Sequence, residues 1–145
     1  MTSFGVVMPR FLRSLSFLLA AFLIVQFASP ANAQANRRTL SQVSQLILKS
    51  YKLLSEEKDT KAARAECEKA QAIEARTKDQ FVSAAVDVCF GDVADHEGKP
   101  KEACEHYDAA LKEFEAVPAK HSAHRTLKTH INVTEGKRMT LGCGA

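Results

Sequence analysis

Residues Phe90–Phe114 read FGDVADHEGKPKEACEHYDAALKEF. Two apolar-periodic runs meet here at Gly98-Lys99-Pro100. Gly98 tolerates the left-handed conformation that commonly ends a helix. Pro100 then stands in the first turn of the next helix, where its missing N–H costs nothing. Beyond it, Ala103, Tyr107, Ala110 and Leu111 follow at spacings of four, three and one, the stripe of an amphipathic helix. Gly91 opposite Ala103 is expected to let two helix backbones approach closely, with Phe90 and Tyr107 filling the space beside them. Neither helix can bury its apolar face alone, so the hairpin requires neighbours.

The flanking sequence supplies them. Upstream, Phe81, Val82, Ala85, Val86, Val88 and Cys89 lead into the hairpin from a turn at Thr77-Lys78-Asp79. Before that turn, Ala62, Ala63, Ala65, Cys67, Ala70, Ala72 and Ile73 predict a helix ending near Arg76, and Lys58–Thr60 predicts the turn ahead of it, with Asp59 or Thr60 as cap. A first helix is expected over Leu40–Glu57, with Leu40, Val43, Leu46, Ile47, Tyr51 and Leu54 on one face and Thr39 or Ser41 as N-cap. Gln34–Arg37 reads as a mobile lead-in. Downstream of Pro118, Ala123, Leu127 and Ile131 mark a mostly polar fifth helix from His121 to Glu135, stopped by Gly136 and followed by a short flexible tail, Lys137–Ala145. Ala63, Cys67 and Ala70 have the internal spacing of Ala103, Tyr107 and Ala110, forty residues earlier. The fold class expected is all-α: about two antiparallel helical hairpins plus a C-terminal solvating helix.

Phe90-Gly91, Ala94, Gly98, Ala103, Tyr107 and Ala110 together resemble the consensus of a tetratricopeptide repeat, a helix–turn–helix unit of about 34 residues. The match is best over residues 84–117, and the first helix pair resembles a degenerate copy. Asp87 stands where the family often has an aromatic, and Pro118 comes a few residues late. In such proteins the first helix of each hairpin lines a concave groove that holds an extended or helical peptide. The resemblance therefore implies groove positions at Val88, Asp92, Asp95 and His96 on the third helix and at Leu48, Lys52 and Ser55 on the first. Asp92 and Asp95, three apart, would form a negative strip suited to a basic partner segment.

The N-terminus has the layout of an export signal. Arg10 and Arg13 precede an apolar run, Phe17–Val25; Ser29-Pro30 breaks it, and Ala31-Asn32-Ala33 is an A-x-A cleavage site. The run is shorter than the roughly 20 residues of a membrane span. Residues 1–33 are therefore expected to be removed, leaving residues 34–145 as one domain with no membrane attachment, periplasmic or secreted by bacterial-type export. The whole chain carries a formal net charge of +3, too little to argue for nucleic acid, which the compartment also disfavours. The distribution is uneven. Asp87–Glu115 holds nine acids against three lysines, and Val117–Ala145 holds five basic residues against Glu135.

Four cysteines in an exported chain imply two disulfides. Three connectivities exist. In an antiparallel helix pair, facing residues lie equally far from the turn, and Cys67 and Cys89 are each 11 residues from position 78. That favours Cys67–Cys89 with Cys104–Cys143; the rival joins Cys89 to Cys104 and Cys67 to Cys143.

No nucleophile elbow, phosphate loop, dinucleotide fingerprint or C-x-x-C motif occurs, so neither an enzyme nor a cofactor is expected; an unrecognised hydrolase is the lowest-ranked reading. Asn132-Val133-Thr134 is read as a chance sequon. His121 and His124 lie one helical turn apart, with His130 further on, but a firm metal site needs three or four ligands. The sequence thus points to a protein–protein interaction module or accessory subunit, with self-association as a further outcome. The alternative is a disulfide-stabilised helical bundle that binds a metal through His121 and His124.

Overall fold

The chain reverses at short connections whose turn residues recur at a fixed interval. Lys58, Lys78 and Gly98, each twenty residues after the last, all adopt the left-handed conformation, with φ of 55°, 51° and 70°. In this computed structural model, which describes residues 30–144, they separate α1 (Pro30–Lys52), α2 (Thr60–Thr77), α3 (Gln80–His96) and α4 (Pro100–Glu115), and α5 (His124–Thr140) comes last. The described residues contain no strand. Aspartates follow the two left-handed lysines and cap the next helix. Asp59 accepts a hydrogen bond from the Ala62 N–H at 2.8 Å, and Asp79 accepts from Phe81 and Val82 at 3.0 and 3.2 Å. Each satisfies N–H groups that a helix start leaves unpaired. Connections this short join antiparallel neighbours.

The forty-residue echo in the sequence is an echo in burial. Ala63, Cys67, Ala70, Ala103, Tyr107 and Ala110 all have no solvent exposure. The first three belong to a core with Val43, Leu54, Val82, Val86, Cys89 and Val93, where α1, α2 and α3 meet. Ala103 and Tyr107 pack with Ala94 at the α3–α4 crossing. There, the atoms nearest to a Cβ placed on Gly91 belong to the Tyr107 ring, not to Ala103. The glycine makes room for an aromatic ring rather than for a second backbone.

Both favoured disulfides are present: Cys67–Cys89 ties α2 to α3, and Cys104–Cys143 ties α4 to the segment after α5. Such bonds belong to an oxidising compartment. Ion pairs add further ties. The Arg64 guanidinium on α2 donates to Glu97 at 2.9 Å and to Glu102 at 3.2 Å, spanning the α3–α4 turn. Lys49 and Lys69 each donate to buried Glu66 at 2.8 Å. Among the described residues, no helix is long and apolar enough to cross a membrane.

The structure corrects four expectations about boundaries. α1 begins at Pro30, so Gln34–Arg37 is helical rather than a mobile lead-in, and Thr39 and Ser41 lie inside the helix instead of capping it. Proline is pre-organised for a first helical turn, and the alanines after it favour propagation. The first α-helix ends at Lys52, and Leu53–Glu57 forms a wider, π-helical turn in which Leu54 is buried. Gly136 does not stop α5, which continues to Thr140. The tail expected to be flexible begins as the last turn of α5, Lys137–Thr140, and the Cys143 disulfide anchors the turn residues beyond it. Of the expected leader, Met1–Ser29 lies outside the described residues, and Ala31–Ala33 falls in the first turn of α1.

Candidate functional site

Alternate helices of a run of short antiparallel hairpins point the same way and share one side of the array. On α1, Leu40, Ser44, Ile47 and Leu48 recur at helical spacing; on α3, Phe81, Ala85 and Val88 do the same. Those two stripes and one side of α5 enclose an open cleft of about 510 Å³. The α5 side contributes Thr126, His130, Val133 and Thr134, with Ser122 and Ala123 just before it, while Phe114 of α4 forms part of the floor. The rims are apolar yet bare: Leu48 is 67% exposed and Val133 is 53% exposed.

An aromatic and imidazole cluster builds the floor. The Phe81 and Phe114 rings lie 5.7 Å apart, and His130 meets Phe81 edge-on at 5.1 Å and stacks on Phe114 at 5.8 Å. Desolvation among these rings lowers the His130 pKa below its ordinary value, because burial penalises the charged imidazolium. His121 stacks on the other side of Phe81. Its Nδ1 accepts from the Ala123 N–H at 3.1 Å, which leaves Nε2 protonated and donating to Asp79 at 3.0 Å. Both ring nitrogens are therefore engaged, and His124 alone of the proposed metal pair is open to solvent. Among the described residues, no group of three or more His, Cys, Asp or Glu side chains converges on a point where a metal ion could sit.

The cleft's polar groups are the hydroxyls of Ser44, Ser122, Thr126 and Thr134 together with His130; among the described residues, no carboxylate, lysine or arginine lines it. The Thr134 hydroxyl is turned inward onto the His130 carbonyl at 2.9 Å. This lining is suited to burying apolar surface, worth about 0.8 kcal/mol per methylene removed from water.

The seven groove positions inferred from the sequence separate into three groups. Leu48 and Val88 line the cleft. Ser55 and His96 line a smaller cavity of about 280 Å³ with Leu54, Lys58 and Thr60. Lys52, Asp92 and Asp95 line neither. Asp92 is engaged internally, accepting from the Tyr107 hydroxyl at 2.7 Å and from Lys137 Nζ at 2.5 and 2.6 Å. Lys52 faces Glu56 at 3.7 Å, and Asp95 is exposed. The expected two-aspartate strip is thus reduced to one free acid, because α5 brings a lysine onto the other.

Phe81, Ala85, Phe114 and His130 are cleft residues that the sequence did not assign to a groove. Phe81 and Ala85 had a signal, lying seven and three residues before Val88 on one helical face. His130 had none, since the packing of a polar terminal helix cannot be read from its weak apolar stripe. Compared with known proteins, the chain matches no family model, no curated protein and no solved structure.

Proposed function

We propose that the chain is a small, exported tetratricopeptide-like interaction module or accessory subunit that holds a segment of a partner protein in the cleft between α1, α3 and α5. The observation that carries this reading is the lining itself. The first helix of each hairpin and the terminal helix face a single open trough, whose rims expose Leu48 and Val133 to water. Exposed apolar side chains on both sides of a concave surface mark recognition sites in soluble proteins. Export is supported by the N-terminal sequence and by two disulfides.

The test is crosslinking capture in the producing cell, comparing the native protein with a Leu48→Asp/Val133→Asp variant. Both side chains are more than half exposed, so the substitutions leave the core untouched. Loss of a specific partner in the variant is the expected result. A partner retained by the variant would move the interaction away from the cleft, and capture of nothing above a control would remove the interaction reading.

A further inference from the structure

The two walls of the cleft carry an unbalanced charge. α1 contains Arg37, Arg38, Lys49 and Lys52 and no acid; α5 contains Arg125, Lys128, Lys137 and Arg138 against Glu135 alone. The acids of the chain are concentrated on α2, α3 and α4. Several wall cations are committed within the fold: Lys49 to Glu66, Lys52 to Glu56, Lys137 to Asp92 and Arg138 to Asp108. Four remain. Arg37, Arg38, Arg125 and Lys128 are all exposed and enter no ion pair among the described residues. Arg37 and Arg38 lie within one helical turn in sequence of Leu40 and Arg125 adjoins Thr126, whereas Lys128, two residues from both Thr126 and His130, lies on the far side of α5.

We propose that the segment held in the cleft is an amphipathic helix with acidic flanking positions, its apolar stripe on the floor and its carboxylates toward the free cations of α1 and α5. This rests on the groove reading proposed for the cleft. Leu40 to Leu48 spans about 12 Å at 1.5 Å per residue, or just over two helical turns. One face of a helix offers anchors over that length at i, i+3 or i+4, and i+7. The openness of the trough selects a polypeptide over a lipid. An acyl chain gains most when it is enclosed on nearly all sides, whereas a helix laid in the trough covers the Leu48 and Val133 rims together. The charge assignment reverses the expectation of a basic partner, which depended on an Asp92 that Lys137 neutralises.

The experiment uses the disulfide-bonded protein and two designed peptides that share one leucine stripe, with glutamates on the remaining faces of one and lysines on those of the other. Fluorescence anisotropy is expected to show the acidic peptide binding at least about tenfold tighter than the basic one, with the gap narrowing as salt is raised. In Arg125→Glu, and separately in Arg37→Glu/Arg38→Glu, the gap is expected to shrink while binding of the basic peptide persists or improves, and Lys128→Glu on the far side of α5 is expected to change it less. Equal binding of the two peptides, or preference for the basic one, overturns the charge assignment and leaves the groove reading standing. If neither peptide binds, the Leu48→Asp/Val133→Asp capture decides between them: a partner still lost there overturns only the acidic helix, and one retained removes the groove as well. Binding of anionic phospholipid vesicles in place of the acidic peptide overturns the proposal in favour of a membrane surface.

Discussion

A methyl group on Gly91 would meet Cε1 of Tyr107 at 2.5 Å and Cδ1 at 2.8 Å. Tyr107 cannot yield easily. It has no solvent exposure, and its hydroxyl donates to Asp92, which also holds Lys137. Gly91→Ala is therefore expected to lower the unfolding free energy by about 1–3 kcal/mol, the range for overpacking a core, as read from urea denaturation. Gly136 is the internal control. Among the described residues, nothing lies within 4 Å of a Cβ placed there, and it sits inside α5, so Gly136→Ala is expected to stabilise by about 0.5–1 kcal/mol through helix propensity alone. The contrast also shows how much could be read in advance. Both glycines stand in the sequence as helix-weakening residues. Gly91 has apolar neighbours at helical spacing that mark a crossing, whereas Gly136 reads as a stop because nothing nearby in the sequence records that Arg138 binds Asp108 on α4. The continuation of α5 is a tertiary effect.

At the scale of the element, α4 carries an unresolved conflict. Glu113 accepts from the Ser83 hydroxyl at 2.8 Å through one oxygen, while its other oxygen is buried without a partner among the described residues. Burial foremost, aided by the nearby Asp87 and Glu74 carboxylates and opposed by the Ser83 bond, raises its pKa above the usual carboxylate value. An acid whose folded pKa is raised favours folding when protonated and loses that contribution as pH rises through the folded value. Glu113→Gln is thus expected to raise the melting temperature at neutral pH, with the gain fading toward about pH 4; an equal gain at both pH values would point to packing instead. Helix identity and helix pairing were legible because α2 and α4 repeat one buried triplet, Ala63-Cys67-Ala70 and Ala103-Tyr107-Ala110, and because a turn centred at Lys78 sets Cys67 opposite Cys89. The cleft was legible only in part. Leu48 and Val88 follow from helical periodicity, but the Phe81–His130–Phe114 floor assembles three helices, and no local pattern encodes how α5 settles against the other two.

For the whole molecule, acid sensitivity has a different source. Hydrogen bonds first from Arg64 and then from Lys99 hold Glu97 down to about 2, and Lys49 followed by Lys69 lowers Glu66. Carboxylates with depressed folded pKa values contribute stability that is complete above their unfolded pKa and disappears as pH falls through the folded value. Thermal unfolding is expected to be nearly flat in this respect above about pH 5 and to fall steeply between about pH 4.5 and 2. In Glu97→Gln that slope should diminish, while stability at neutral pH drops because Arg64 loses its strongest partner. An unchanged slope would place the acid transition elsewhere.

The two disulfides also have a temporal meaning. Cys67–Cys89 closes before Cys104 is reached in the sequence, so the bridges are consecutive and their loops do not interlace. Were the chain to enter an oxidising space N-terminus first, the α2–α3 hairpin could be sealed before Cys104 arrived, and the second loop after it. Joining cysteines in their order of appearance already produces the native pattern. Closure in that order takes up an oxidant at each bridge and requires no exchange of wrongly joined thiols.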